Sequence, residues 1–262
     1  MADTVLITGA SSGIGLEFAR VFASQRKNLV ITARNQVQLE RVAAELQMAH
    51  HVEVSVFPCD LARAGEAEAL IRRIGQENLQ IDALVNNAGF GLYGHFKETN
   101  LATELEMIQL NITSLTVLTK LVLPGMVARG RGRILNVAST AAFQAGPLMA
   151  VYYASKAYVL HFSEAIANEL EGSGVTVTTL CPGPTESAFV GNASLENSKL
   201  FHDKKIPTAA KVARAGYDAM MAGKTVHIVG AGNSFYALMA RLLPRRMMTA
   251  AVRRAQDPRS KG

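Results

Sequence analysis

Short apolar runs alternate with amphipathic stretches along most of the chain. TVLIT (4–8), LVITA (29–33), VEVSVF (52–57), IDALVNN (81–87), RILNVAS (133–139), VTVTTLC (175–181) and TVHIVG (225–230) have strand length. They are rich in Val, Ile and Leu without clean alternation, as strands buried on both faces are. Helical patterns fill the intervals at 14–25, 36–48, 65–77, 101–129 and 151–171. In 36–48, for example, Val37, Leu39, Val42, Ala43 and Leu46 supply the apolar face. Strand–helix alternation predicts an α/β fold: a single Rossmann-like, doubly wound parallel sheet of about seven strands, with right-handed crossovers and helices on both faces. No linker and no internal repeat interrupts the rhythm, so 1–262 reads as one domain.

Two segments break the pattern. Residues 184–207 (PTESAFVGNASLENSKLFHDKKIP) are polar and weakly periodic. A connection this long in a compact domain is expected to be a functional lid, here over the substrate, or a disordered segment. In 233–254, Phe235, Leu238, Met239, Leu242 and Leu243 follow helical spacing until Pro244 interrupts, and a basic tail continues to 262. The expectation for this stretch is a helix packed on the core or on another subunit. An amphipathic basic helix on a membrane surface is the alternative.

Composition narrows the classes. With 49% hydrophobic and 18% charged residues, the chain can bury a sizeable core. The net charge of +6 is spread along the sequence, with density only near the C-terminus, and reads as a solvated basic tail rather than a nucleic-acid surface. Cys59 and Cys181 are too far apart in pattern to suggest a disulfide framework or a metal site, and the six histidines show no ligand spacing. A reduced, cytoplasmic protein without a metal is the expectation. No run of about eighteen uninterrupted apolar residues suggests a spanning helix.

Candidate chemistry begins after the first strand, at TGASSGIG (Thr8–Gly15). Glycines at 9, 13 and 15 allow a sharp turn and close approach of a pyrophosphate, and the helix that follows offers free N–H groups and the positive end of its dipole. The second strand ends Thr32-Ala33-Arg34-Asn35, with no acid before Glu40. An acid at that place would bind the ribose 2′-hydroxyl of NAD, whereas Arg34 suits the 2′-phosphate of NADP. Further on, YYASK (152–156) sets two phenols near an ammonium. Tyr152 and Lys156 are four apart and Tyr153 and Lys156 three apart, so either tyrosine shares a helix face with the lysine. A phenol titrating near 10 would need about three pKa units of help, about 4 kcal/mol, to work near neutrality.

Together with CDL (59–61), NNAG (86–89), Asn111 in LNIT, Ser139 in NVAS and CPGPTES (181–187), these motifs resemble the classical short-chain dehydrogenase/reductase family over nearly the whole length. They stand in that family's order and spacing; Arg34 makes an NADP-preferring member the expectation, and the 233–254 stretch resembles the tails of a bacterial-type subgroup. The resemblance implies that Tyr152, thirteen residues after Ser139, is the acid–base residue, while Tyr153 packs or lines the pocket. It further implies that Lys156 lowers the tyrosine pKa and binds the nicotinamide ribose, that Ser139 polarises the substrate carbonyl, and that Asn111 supports a proton relay. NADP(H) would lie on Gly9, Ser11, Ser12, Gly13, Ile14, Gly15, Arg34, Asp60, Leu61, Asn87, Ala88, Gly89, Tyr152, Lys156, Pro182, Gly183 and Thr185. Substrate would meet Ser139, Phe143, Tyr152 and Phe189, with Tyr93, Phe96, Leu148 and Met149 making an apolar rim. The implied reaction is reversible hydride transfer between NADPH and the carbonyl of a ketone, 3-oxoacyl group or related apolar small molecule. A silent NADP(H)-binding sensor is the rival reading, and a homodimer or homotetramer the implied assembly.

Overall fold

The computed structural model describes residues 3–186 and 206–256. The strands are β1 (Thr4–Thr8), β2 (Asn28–Thr32), β3 (Val54–Val56), β4 (Ala83–Asn86), β5 (Gly132–Val137), β6 (Val175–Cys181) and β7 (Val226–Ile228). They form one wholly parallel sheet in the order β3-β2-β1-β4-β5-β6-β7. The order reverses beside β1, and β1 and β4 lie next to each other there. In open α/β sheets the crevice at such a reversal, beyond the C-terminal strand ends, is where ligands bind.

Alternate residues of each strand point to opposite faces, which divides the core in two. Val5 and Ile7 of β1, with Leu29 and Ile31 of β2, face one side. There they meet α1 (Gly13–Ser24) through Phe18 and Phe22, and α2 (Gln36–His50) through Leu39, Val42 and Leu46. Leu6, Val30, Leu84, Ile134 and Val177 face the other side. They meet α3 (Glu66–Gln76) through Leu70 and Ile74, and the long helical run Leu101–Ala128 through Leu118 and Met126. That run comprises α4 (Leu101–Ile108), a π-helical turn (Gln109–Ser114) and α5 (Leu115–Ala128). By length and composition it could cross a membrane, but its inner face is committed to the sheet. Helix α6 (Ala150–Glu169) completes that layer.

The strands and helices read from the pattern appear within two residues of their expected ends, except that β3 and β7 are shorter. One helix was not expected: α7 (Ala209–Met221), whose Val212, Ala213, Gly216, Tyr217 and Met220 pack on α1 beside Phe18 and Phe22. The segment 233–254 splits at Pro244 into α8 (Ala231–Leu242) and α9 (Arg245–Gln256). Most of the expected lid, including Phe189, lies outside the described residues. The described ends of that segment meet, since Glu186 and Thr208 form a parallel bridge and Glu186 N donates to Pro207 O at 3.1 Å.

Candidate active site

The C-terminal ends of the strands gather the residues singled out in the sequence. After β1, Gly9 turns with φ +68° and Gly13 with φ +56°, a region where a Cβ is strained. At Gly15 the reason is space rather than angle: a Cβ there would collide with the Gly9 carbonyl and the Asn87 amide. The turn is pinned from β4. Asn87 Nδ2 donates to Thr8 O at 2.9 Å, and Thr8 Oγ1 accepts from Asn87 N at 3.0 Å and Ala88 N at 2.9 Å. Helix α1 then opens at Gly13 with no acid in its first turn, and the Ser12 side chain makes no capping bond. Its first N–H groups lack intrahelical partners, as in any helix, and with the glycine cradle they fit a pyrophosphate.

At the neighbouring strand ends, Arg34 is exposed after β2 and is followed by Asn35, which caps α2 by accepting from Gln38 N at 3.0 Å. Asp60 follows β3 and folds its own turn, Oδ1 accepting from Ala62 N at 3.2 Å. Leu61 is buried, and its carbonyl accepts from Ser114 Oγ at 2.6 Å. Gly9, Asn87, Ser139 and Pro182 thus cap β1, β4, β5 and β6 at one edge of the sheet. Thr185 Oγ1 donates back to Gly183 O at 3.0 Å.

Tyr152 is half-buried, with its phenol hydrogen-bonded with the Ser139 hydroxyl. Ser139 also starts the 3₁₀ turn Thr140–Phe143, its Oγ accepting from Ala141 N at 3.1 Å. Phe143, on that turn, packs partly buried against Leu115, Val159 and Cys181. Lys156, one turn beyond Tyr152, lies with Nζ 5.8 Å from the centre of the tyrosine ring and donates to Val137 O at 2.9 Å. Burial pushes the Tyr152 phenol up to about 12, against a lowering pull from the Ser139 hydrogen bond, and holds the Lys156 ammonium down to about 8. The expected drop of the phenol towards neutrality is therefore not met by the protein's own groups, because desolvation of the phenolate outweighs them.

Asn111 sits on the π-helical turn rather than on regular α-helix. Such turns insert one residue and recur at functional sites. Its Nδ2 donates to Phe90 O and Ser155 Oγ, both at 3.0 Å, and its Oδ1 accepts from Phe90 N at 3.2 Å. Gly89 makes room for it: a Cβ there would lie 2.9 Å from Asn111 Oδ1 and 3.5 Å from Lys156 Nζ. Asn111 thus ties the loop after β4 to α6 beneath the Tyr152–Lys156 pair.

The sequence reading missed two groups. Behind the site, Asn86 Nδ2 donates to Asn136 Oδ1 at 2.9 Å and to Thr119 Oγ1 at 3.0 Å, and Asn136 Nδ2 donates to Ser163 Oγ at 2.8 Å. Above the site, Gln256 Nε2 donates to Tyr153 Oη at 2.6 Å, and Tyr93 Oη donates to the Gln256 carbonyl at 2.6 Å. The rings of Tyr152 and Tyr153 meet edge to face with centres 6.1 Å apart, and Tyr153 packs over Gly146, where a Cβ would strike its ring. Tyr236 of α8 adds its charge to the causes that raise the Tyr153 phenol. Gln256 is distant in sequence from both tyrosines. Its only local signal is the spacing Met248, Val252, Gln256 along the buried face of α9.

Comparison with known proteins agrees with this arrangement. The family model described as short chain dehydrogenase matches residues 3–198. A ketoacyl reductase, HetN, from Nostoc sp. is 35% identical over 180 residues, 69% of this chain and 62% of the relative. A putative ketoacyl reductase from Streptomyces coelicolor is 37% identical over 193 residues, covering 73% of this chain and 74% of the relative. The match therefore spans less than two thirds of the Nostoc protein. Among solved structures, a short-chain dehydrogenase from Sphingobium yanoikuyae in complex with NADPH superimposes with a TM-score of 0.82 at 32% identity, covering 97% of this chain and 98% of that one. The bulky-bulky ketone specific alcohol dehydrogenase from Comamonas testosteroni follows at 0.78 and 28%, covering 97% and 96%. With its parallel sheet, glycine cradle and Ser139–Tyr152–Lys156 cluster, the chain belongs to the short-chain dehydrogenase family.

Proposed function

We propose that the protein is an NADPH-dependent reductase of an apolar ketone or 3-oxoacyl group, working reversibly. The observation that carries the reading is the desolvated Tyr152 phenol in hydrogen-bond contact with Ser139, with the Lys156 ammonium 5.8 Å from its ring centre. When bound, the reduced nicotinamide supplies the hydride. The protein's part is proton and charge. Tyr152, kept neutral by burial, donates its proton to the carbonyl oxygen as charge builds there. Ser139 donates a second hydrogen bond to that oxygen, and the Lys156 cation attracts the phenolate left behind. Asn111 holds the floor of the site through Phe90 and Ser155.

The dinucleotide would lie across the Gly9–Gly15 cradle, with adenine near Asp60 and Leu61, ribose beside Asn87–Gly89, and nicotinamide against Pro182, Gly183 and Thr185. Arg34, exposed at the end of β2 with no acid beside it in sequence, supports NADPH over NADH. The NADPH complex of the Sphingobium relative lends the same support. Ketoacyl and bulky-ketone reductases among the relatives support the substrate class. Exposed Leu101, Leu105, Ile108, Leu121 and Tyr158 on α4, α5 and α6 suit a subunit interface, which sedimentation velocity would test.

The test is NADPH oxidation against 3-oxoacyl thioesters, aryl ketones and steroid ketones, with NADH in parallel. Tyr152→Phe is expected to lose about 10²–10⁴-fold in kcat. Arg34→Ala is expected to lose about 10–100-fold in NADPH preference, the worth of a charge-assisted contact. NADPH binding without turnover of any carbonyl, unchanged by Tyr152→Phe, would favour the silent sensor.

A further inference from the structure

Helix α8 is turned inside out. At 100° per residue, Phe235, Leu238 and Leu242 fall on one face. In a helix packed on a sheet that face would point inward. Here Phe235 is 64%, Leu238 50% and Leu242 66% exposed, while Ala237 on the opposite side is the buried member. The exposed apolar run continues beyond α8 in Leu243 and, past Pro244, in Met247. Arginines flank it at 241, 245 and 246, and Arg254 is exposed further along α9. No Asp or Glu occurs anywhere from Ala231 to Gln256, so nothing within the two helices offsets these charges. The expectation of a core helix is therefore not met for α8. Helix α8 rests on the fold through buried Ala237 and half-buried Tyr236, and α9 buries Met248, Val252 and Gln256.

We propose that the outward face of α8, with the start of α9, docks on an anionic lipid surface. A contiguous apolar stripe rimmed by arginine and free of acids has the composition of a helix lying in the membrane interface, with its apolar residues among the acyl chains and its guanidinium groups at the headgroup phosphates. Charge complementarity decides between occupants. A two-fold contact with a second copy would bring the same patch against itself, with no carboxylate from either copy's α8 or α9 to meet Arg241, Arg245 and Arg246. An anionic bilayer offers the apolar medium and the counter-charge together. Because α9 also carries Gln256, which holds Tyr153 and Tyr93, the docked face continues into the element that covers the candidate active site.

The experiment is co-sedimentation of the full chain with vesicles of phosphatidylcholine alone and of phosphatidylcholine mixed with phosphatidylglycerol, at low and high salt. The protein is expected to pellet with the anionic vesicles, weakly or not at all with the neutral ones, and less as salt screens the headgroups. Arg241→Ala/Arg245→Ala/Arg246→Ala is expected to weaken binding on the order of a hundredfold, from roughly fivefold per arginine. Phe235→Ser/Leu238→Ser/Leu242→Ser should abolish it with the melting temperature retained, since these side chains are exposed in the fold. No pelleting with anionic vesicles overturns the proposal, as does binding that ignores both the arginine variant and salt. If the serine variant instead lowers the sedimentation coefficient of a protein that does not bind vesicles, the face is a subunit contact and the proposal also fails. Should the serine variant misfold, the arginine variant and the salt series still decide.

Discussion

Helices α1 and α8 are each twelve residues long and each carries phenylalanine on its apolar stripe, yet they use it in opposite ways. In α1 the stripe of Phe18, Ala19, Phe22 and Ala23 is wholly within the core, pressed by Tyr217 of α7. In α8 the stripe faces out. Periodicity shows that a helix has an apolar side. It does not show what that side meets. In α1 the partner is fixed by the β1–α1–β2 connection, which lays the helix on the sheet. Helix α8 follows the short edge strand β7, where little sheet remains to cover.

The contrast is open to measurement. Phe18→Ala should destabilise the fold by about 3–5 kcal/mol in denaturant unfolding, the cost of an aromatic cavity in a packed core. A much smaller loss would mean that the α1–α7 contact is looser than its burial implies.

The second largest effect concerns charge in the buried site. Lys156, held down to about 8, loses its charge above that pH while Tyr152 keeps its proton. For reduction, kcat/KM should be level below about pH 8 and then fall about tenfold per pH unit. Stability should move the other way. Between about 8 and 9 the unfolded lysine still binds a proton that the folded one has released, so the fold gains stability as pH rises. Above about 9 the buried thiols of Cys59 and Cys181, pushed up to about 12, remain protonated in the fold and reverse the gain. Activity that stayed level to the tyrosine's own range would remove Lys156 from the reaction.

A smaller effect lies where the two regions join. Gln256→Ala removes one neutral hydrogen bond to Tyr153, worth about 1 kcal/mol. KM for a bulky ketone should rise about fivefold, with NADPH affinity unchanged, and Tyr153→Phe should absorb most of that change in a double-mutant cycle. Smallest of all, Phe235→Ala should alter stability by no more than about 0.5 kcal/mol by thermal melting. A loss comparable to that of Phe18→Ala would erase the distinction between the two helices.

Much of the architecture was legible because parallel strands buried on both faces leave continuous apolar runs, and TVLIT and VTVTTLC coincide with β1 and β6 to the residue. The glycine turn was legible because it follows the first strand, and the Tyr152–Lys156 pair because helical spacing puts them on one face, whereas Ser139 was reached only through the family resemblance. Helix α7 passed unread although Thr208 caps it and Val212, Gly216 and Tyr217 mark its inner face. The long polar segment before it masked its start. Gln256 was beyond sequence reasoning, because its partners lie 103 and 163 residues away. The orientation of α8 was likewise hidden, since the same stripe serves a core helix or a surface one.

The Asn86–Asn136–Ser163 chain has a consequence for how the two halves of the site stay aligned. Asn86 and Asn136 are direct partners across β4 and β5. A slip of either strand by one residue would turn that strand's amide to the opposite face and part it from its partner. The lost pairing would cost about 1–3 kcal/mol for each buried amide group left without a partner. The pair therefore acts as a registration pin. Asn87, which braces the glycine cradle, and Ser139, which meets Tyr152, sit one and three residues beyond it, so the alignment of cradle and tyrosine is set inside the sheet, out of reach of solvent.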